Sequence, residues 1–238
     1  EIYNHLDIRK DIDASSSIHW KGHSDTETLL VSFDLIGFRE TLEKVVGAFA
    51  IALWDQESET LFLARDRMGE KPLYYGWQDG TFLFGSELSA LRTHRAFEDV
   101  VNRDIIPSYL KTGAISAPNS IYKGIYKVMP STYIEITAHS DKQIIPEAMY
   151  YWSLDEIARD GIKSPLTGND DELIDGLESL INNAVSLQTI SDMPLGAYLS
   201  GGIDSSLVVA LLQSNSMEKV KTFTIGFEEK KYDESMYA

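Results

Sequence analysis

The chain of 238 residues is long enough for one large domain or two modest ones. Hydrophobic residues make up 43% of it and charged residues 24%, a globular composition that excludes wholesale disorder. With 21 Lys and Arg against 37 Asp and Glu, the net charge of −16 argues against general nucleic-acid binding. No cysteine is present, which excludes disulfides and thiolate metal sites, and no apolar run approaches the roughly 18 residues of a membrane span. We therefore expect a cytoplasmic protein that does not enter a membrane.

Strand and hairpin patterns dominate residues 1–152. Strands are predicted at 47–54, 60–64, 73–77 and 81–84, with two more inside 121–136 around the Met129-Pro130 break. Helices are predicted at 25–35, 87–93 and 103–111. Segment 47–54 is apolar along its whole length, so we expect a strand that is buried on both faces. Antiparallel hairpins followed by helices predict a layered α+β domain.

Residues 153–170 separate this region from a second pattern. The segment is polar, contains Gly161, Pro165 and Gly168, and shows no sustained period, so we interpret it as a linker. Beyond it we predict an amphipathic helix at 171–187, a short buried strand at 194–199, a loop at 200–206, a helix through 207–213 and a strand at 220–227. A strand, a helix and a second strand form a βαβ unit, which predicts a parallel sheet. Two strands are few for such a sheet, so we expect residues 171–238 to be the start of a longer domain.

The strongest candidate for a binding site is the loop Ser200-Gly201-Gly202-Ile203-Asp204-Ser205-Ser206. Its glycines let a ligand approach the backbone, and the N–H groups of the helix that begins near Ile203 favour an anion. The serine hydroxyls can donate to phosphate oxygens, whereas the Asp204 carboxylate would repel bare phosphate and therefore indicates a bridging Mg²⁺. The loop lacks the Lys of the kinase and GTPase phosphate loop. The alternative is a tight glycine turn in which Asp204 and Ser205 cap the helix.

Motifs along the whole chain resemble the glutamine-dependent asparagine synthetase family. The loop resembles the pyrophosphate loop of ATP-pyrophosphatases, and its flanks resemble asparagine synthetases at Ser191-Asp192-Met193-Pro194-Leu195-Gly196-Ala197-Tyr198-Leu199 and Thr222-Phe223-Thr224-Ile225-Gly226-Phe227. Five segments of the first half resemble the glutaminase domain of that family: Glu1-Ile2-Tyr3-Asn4-His5, Gly22-His23-Ser24-Asp25-Thr26-Glu27, Gly47-Ala48-Phe49-Ala50, Ala64-Arg65-Asp66-Arg67-Met68-Gly69-Glu70-Lys71-Pro72-Leu73-Tyr74-Tyr75 and Gly85-Ser86-Glu87-Leu88.

This resemblance implies a two-domain enzyme. Residues 1–152 would form a glutaminase domain of the N-terminal-nucleophile type, an αββα sandwich, and residues 171–238 would begin an α/β parallel-sheet ATP-pyrophosphatase domain. Ammonia freed from glutamine would pass through a tunnel to an aspartyl-adenylate made from aspartate and ATP. The products would be asparagine, AMP and PPi. ATP and Mg²⁺ are thus the expected cofactors, glutamine and aspartate the expected partners, and a homodimer stays open.

The resemblance also implies roles for individual residues. Glu1 and Asp25 match carboxylates that hold the α-amino group of glutamine, and an ammonium favours an anionic partner. Asp204 would bind Mg²⁺ beside the nucleotide. The other ATP contacts would be Leu199 and Ile225 on the adenosine, and Ser200, Gly201, Gly202, Ser205 and Ser206 on the pyrophosphate.

Several parts of the family pattern are not found in these 238 residues. The nucleophilic cysteine, the arginine for the glutamine carboxylate and the Asn-Gly oxyanion pair would precede Glu1, and the aspartate site would follow Ala238. We therefore expect an internal fragment that has no glutaminase activity by itself. Two alternatives stay open: a relative that amidates another carboxylate, such as a polysaccharide sugar acid or a β-lactam precursor, and a non-catalytic family member.

A run of charged residues at Arg65, Asp66, Arg67 and Lys71 offers a further candidate for catalysis. Such runs are more often internal ion networks or solvated faces, so we favour a structural role. The histidines lack the spacing of metal ligands and receive no role; they are His5, His19, His23, His94 and His139.

Overall fold

The computed structural model describes residues 1–140, 144–190, 193–229 and 233–237. The chain divides into two compact units, Glu1–Arg159 and Asp160–Ala238. Among the described residues, no helix combines the length and the apolar character needed to cross a membrane.

The first unit alternates helices and antiparallel strands. Its helices are α1 (His5–Ser15), α2 (Asp25–Ile36), α3 (Phe38–Lys44), α4 (Leu88–Leu91) and α5 (Ile106–Thr112), the last preceded by a 3₁₀ turn at Arg103–Ile105. Its strands are β1 (Ala50–Asp55), β2 (Thr60–Arg65), β3 (Tyr74–Gln78), β4 (Thr81–Gly85), β5 (Ile125–Lys127), β6 (Thr132–Thr137) and β7 (Met149–Tyr150). All the strands predicted for this region and the helices at 25–35, 87–93 and 103–111 are confirmed, with ends shifted by a few residues.

Four layers build this unit. One sheet has the strand order β1-β2-β6-β7 and the other β4-β3-β5, with every pairing antiparallel. A first core cluster joins α1, α2 and α3 to the first sheet, through residues such as Ile8, Leu29, Leu42 and Ala64. A second cluster lies between the two sheets, and a third, with Leu91 of α4, covers the outer face of the second sheet. The layer order is helix, sheet, sheet, helix, which confirms the predicted αββα sandwich.

One expectation for the first unit is wrong. Strand β1 is not buried on both faces: its residues alternate between partial burial and exposure, and Trp54 is 54% exposed. The reason is that β1 is an edge strand, paired with β2 alone. The segment 153–170 is not wholly irregular, because α6 (Leu154–Lys163) lies within it and crosses the boundary between the units. The assignment of 153–170 as the linker between domains stays a prediction.

The second unit contains α7 (Asp170–Leu187), β8 (Gly196–Tyr198), α8 (Ile203–Ser214), β9 (Lys221–Phe223) and a 3₁₀ turn at Ser235–Tyr237. Helix α7 begins with a capping box in which Asn169 and Glu172 exchange side-chain and backbone hydrogen bonds. Strands β8 and β9 pair in parallel, which confirms the predicted βαβ unit. The prediction that 194–199 is a buried strand is wrong, since Tyr198 is 77% exposed. Ser191 and Asp192, part of the motif before this strand, lie outside the described residues.

Candidate functional site

The first candidate site forms where residues 1–3 run antiparallel to residues 46–48. The Glu1 amino nitrogen donates to the Ala48 carbonyl (2.7 Å), and the Ala48 N–H donates to the Glu1 carbonyl (3.1 Å). The Tyr3 N–H donates to the Val46 carbonyl at 2.8 Å. These backbone hydrogen bonds fix the position of Glu1 against the segment that leads into β1.

Gly47 allows the two segments to approach so closely. A Cβ atom on Gly47 would lie 2.2 Å from the Glu1 carbonyl oxygen and 2.9 Å from the Ile2 Cα atom. Both atoms belong to the backbone, which cannot move aside as the end of a flexible side chain can. A glycine is therefore required at this position by the contact with residues 1–2.

Asp25 reaches the same place from the start of α2. Its Oδ2 atom accepts a hydrogen bond from the Ile2 N–H at 3.0 Å, so the structure brings Asp25 next to Glu1 although they are 24 positions apart in sequence. Partial burial opposes ionisation of Asp25, but hydrogen bonds from the backbone N–H groups of Ile2 and Thr26 favour the charged form, and the pKa of its carboxyl lies below the usual range. The Asp25 carboxylate thus lies beside the backbone of residues 1–2, and an ionised carboxylate there is suited to an ammonium group.

Asp66 anchors the backbone on the other side of Gly47. This carboxylate is 1% exposed and accepts hydrogen bonds from the N–H groups of Phe49 (3.2 Å), Glu70 (2.8 Å) and Lys71 (2.9 Å). Arg65 donates to the carbonyls of Gly69, Lys71 and Val128. The side chains of Arg65, Asp66 and Arg67 thus bind backbone groups, as a structural role requires, whereas Lys71 is exposed.

Sequence reasoning did not place the acidic residue Glu70 near the first site. Burial, together with the charges of Glu70, Glu1 and Asp66, raises the pKa of the Tyr3 hydroxyl. Glu70 thus lies close enough to residues 1–3 to add to their negative potential. Glu70 is 67 positions from Tyr3 in the sequence, which gave no signal of this electrostatic influence.

The second candidate site is the loop between β8 and α8. Gly202 is the N-cap of α8, and Gly201 has a φ of +73°, a left-handed conformation that favours glycine. The hydroxyls of Ser200 and Ser205 lie 3.0 Å apart and hydrogen-bond to each other, and the Ser205 hydroxyl also donates to the Gly202 carbonyl. The loop therefore turns sharply into the helix, as both interpretations of the motif predicted, and α8 begins at Ile203.

The predicted nucleotide contacts gather at one edge of the β8–β9 pair. The Leu199 N–H donates to the Phe223 carbonyl (2.9 Å), and the Thr224 hydroxyl donates to the Leu199 carbonyl (2.8 Å). Ile225 follows directly and is exposed, so it lies beyond the carboxyl end of β9, where the loop also leaves β8. Ligands of parallel α/β sheets bind outside the carboxyl ends of the strands.

Asp204 is the one predicted metal ligand, and its surroundings fit Mg²⁺ bound together with phosphate. It lies exposed in the first turn of α8, beside N–H groups that have no partner within the helix. In the described parts of the chain, no group of three or more His, Cys, Asp or Glu residues forms a self-sufficient metal site. Mg²⁺ commonly takes one or two protein carboxylates and completes its shell with phosphate and water oxygens.

Comparison with known proteins shows the class of this chain. The family model described as a glutamine amidotransferase domain matches residues 1–152, and a model described as asparagine synthase matches residues 176–238. The chain therefore belongs to the glutamine amidotransferase family.

Curated relatives confirm the resemblance to asparagine synthetases. A Methanocaldococcus jannaschii protein that carries the provisional name asparagine synthetase [glutamine-hydrolyzing] 2 is 33% identical over 240 residues, which cover 100% of this chain and 44% of that protein. Asparagine synthetase [glutamine-hydrolyzing] 3 of Bacillus subtilis is 33% identical over 235 residues, which cover 96% of this chain and 36% of that protein. The chain thus spans less than half the length of these relatives.

Among solved structures, a glutamine phosphoribosylpyrophosphate amidotransferase of B. subtilis is similar to this chain. The two share 13% sequence identity with a TM-score of 0.44, over 96% of this chain and 45% of that one.

Proposed function

We propose that the protein containing this chain makes asparagine from aspartate, with ammonia from glutamine and energy from ATP. One observation supports the proposal: a single chain holds both an oriented carboxylate, Asp25, beside residues 1–2 and a glycine-containing loop that enters a helix at the carboxyl edge of a parallel strand pair. The first suits the ammonium group of an amino acid, and the second suits a nucleotide. The formation of an amide from a carboxylate with ammonia from glutamine needs both ligands.

In the glutaminase half, we assign Glu1 and Asp25 to the α-ammonium group of glutamine. The Ile2 N–H keeps the Asp25 carboxylate ionised and oriented, and the close contact at Gly47 sets the position of Glu1. Neither carboxylate attacks the amide, because that step needs a nucleophile and oxyanion donors near one carbonyl. Since residues 1–238 contain no cysteine, we propose that they release no ammonia from glutamine on their own.

In the synthetase half, we assign the loop to the phosphates of ATP. The N–H groups of the first turn of α8 would donate to the pyrophosphate oxygens, and Leu199 and Ile225 would border the adenosine. Asp204 would hold Mg²⁺, which when bound neutralises part of the charge on the leaving pyrophosphate. Activation of aspartate as an adenylate would then let ammonia displace AMP.

The test of the nucleotide assignment is Asp204→Asn in the full-length protein. We expect aspartate-dependent release of PPi from ATP to fall by about two orders of magnitude, because an amide binds Mg²⁺ far more weakly than a carboxylate does. The matched control is Asp171→Asn, since Asp171 is also exposed in the first turn of a helix, α7, and should leave PPi release unchanged. Undiminished PPi release in Asp204→Asn would overturn the assignment.

The acceptor is tested by the same assay with different carboxylates. PPi release that depends on aspartate supports asparagine synthesis. Release that depends on a sugar acid or a β-lactam precursor instead supports the alternative amidotransferases. An absence of PPi release with every carboxylate, in a protein that binds ATP, supports a non-catalytic family member.

A further inference from the structure

Arg9 of α1 is a buried cation whose side chain reaches the segment around Asp25. Only 8% of Arg9 is exposed. Its guanidinium donates to the carbonyls of Gly22 and Ser24, both at 2.9 Å, and to the Thr28 hydroxyl at 2.7 Å. These acceptors lie before and after Asp25 in sequence, so a single side chain fastens both flanks of that carboxylate.

Two further contacts hold the guanidinium in place. Glu27 lies 3.5 Å from it and accepts hydrogen bonds from the N–H groups of Lys21 (2.6 Å) and Gly22 (2.9 Å), which ties the same loop a second time. The Trp20 ring covers the guanidinium at 4.3 Å. The hydrogen bond from the Lys21 N–H, with the Gly22 N–H and the Arg9 charge, holds the pKa of Glu27 below its usual range. Loop 20–24 is thus attached to α1 before it enters α2.

We propose that Arg9 is a positioning residue for glutamine, which sets the place of Asp25 without touching the substrate itself. This inference rests on the proposed role of Asp25 in binding the glutamine ammonium group. The Asp25 carboxylate is oriented by the hydrogen bond of 3.0 Å from the Ile2 N–H, and that bond forms only if the first residue of α2 lies opposite Ile2. Arg9 determines where α2 begins by holding its N-cap residue, Ser24, and Thr28 in its first turn.

The geometry requires arginine rather than any cation. Three different nitrogens of one planar guanidinium each donate to one of the three acceptors. A lysine ammonium is a single nitrogen and cannot reach all three acceptors in that arrangement. Lysine would keep the charge and part of the hydrogen bonding, whereas methionine would fill the space without either. The two substitutions therefore separate geometry from charge and packing.

The experiment measures glutamine-dependent and ammonia-dependent product formation by the full-length protein with Arg9→Lys and Arg9→Met. For Arg9→Met we expect the KM for glutamine to rise by about tenfold or more while kcat stays within about twofold. Arg9→Lys should recover part of that loss. Reactions supplied with ammonia instead of glutamine should proceed at the unaltered rate, because they do not use Asp25.

A matched control is Arg92→Met, because Arg92 also pairs with a carboxylate, Asp99, and lies over an aromatic ring, that of Tyr122, but is about half exposed. We expect an unchanged KM for glutamine in this variant. A partly unfolded Arg9 variant would lower the rates with glutamine and with ammonia equally and would leave KM unchanged. That result overturns the inference, as does an unchanged KM in both Arg9 variants, while the proposed function stands. If the wild-type protein releases no glutamate from glutamine, the proposed function itself fails and the inference fails with it.

Discussion

At the scale of single residues, a missing side chain matters as much as a charged one. The φ angle of Gly47 is not in the left-handed region, so backbone conformation does not require a glycine there. Only the close contact with the backbone of residues 1–2 does. Glu1 owes its place beside Asp25 to this contact. A single methyl group at position 47 is therefore enough to displace the backbone of residues 1–2, whose Ile2 N–H donates to Asp25.

We expect Gly47→Ala to lower the free energy of unfolding of the first unit by about 2 kcal/mol or more, because backbone must shift to admit the Cβ atom. Urea unfolding followed by tryptophan fluorescence measures this unit specifically, since all 4 tryptophans lie in Glu1–Arg159. Gly80→Ala is the control: Gly80 has a φ of +67°, but a Cβ atom there would meet nothing within 4 Å, so its cost should be only about 1 kcal/mol of backbone strain. Equal losses in the two variants would contradict the steric argument.

At the scale of secondary-structure elements, Asp66 joins β1 to the turn that follows β2. Its two carboxylate oxygens accept three backbone hydrogen bonds in a fully buried setting. A buried carboxylate is stable there because these donors replace its hydration. The turn at 66–71 and the start of β1 are consequently held as one piece beside residues 1–3.

We expect Asp66→Asn to destabilise the first unit by about 2–3 kcal/mol, because the amide has only one acceptor oxygen and turns an NH₂ group toward a backbone donor. Tryptophan fluorescence in urea again gives the measurement. The control is Asp55→Asn, since Asp55 also accepts hydrogen bonds from a turn, through the Glu57 N–H and the Ser58 hydroxyl, but in contact with water. A loss at Asp66 no greater than that at Asp55 would show that the buried carboxylate is not an anchor.

At the scale of the whole molecule, the two units differ in how much apolar surface they cover. The first has three clusters of buried residues, whereas in the described residues after 159 only Leu211 is buried. Three of the four leucines of α7 are exposed, namely Leu173, Leu177 and Leu180, the last of them to 69%. Burial of apolar side chains is the main favourable term in folding, so the second unit has little stability of its own.

We therefore expect a nonspecific protease to digest residues 160–238 of the isolated chain well before residues 1–159. Mass spectrometry of fragments during limited proteolysis follows both regions at once. In a longer protein that covers the leucine face of α7, the same region should become resistant. Equal digestion rates of the two regions in the isolated chain would contradict this prediction.

The strands and the βαβ unit were predictable because their signals are local. Alternation, turn residues such as Asp79-Gly80 and the apolar run before Ser200 each lie within a few positions. Helices α1 and α3 were not predicted. In α1 one of the buried positions is Arg9, which breaks the apolar pattern, and α3 has only 7 residues. Both helices therefore depend on tertiary contacts for their formation.

In the candidate site, too, some residues were predictable from the sequence and others depend on tertiary contacts. Glu1 and Asp25 came from the resemblance to a known family, whereas the loop 200–206 was recognised from its own glycines and serines and the helix that follows. The roles assigned to all of them stay predictions. The supporting residues Arg9, Gly47 and Asp66 act through contacts with backbone groups 13 to 46 positions away, such as Gly22 for Arg9, Phe49 for Asp66 and Glu1 for Gly47. Such contacts depend on how the elements pack, and no spacing in the sequence reports them.

The hydrogen bond between the Ser200 and Ser205 hydroxyls has a consequence for ligand selection. This bond must open before Ser200 can donate to a ligand, so a weakly charged anion would exchange one neutral hydrogen bond for another and gain little. The many charged oxygens of a triphosphate form stronger hydrogen bonds and more than repay the loss. If the loop binds ATP as proposed, the charged phosphate oxygens would therefore offset the loss of this bond, which a neutral ligand would not.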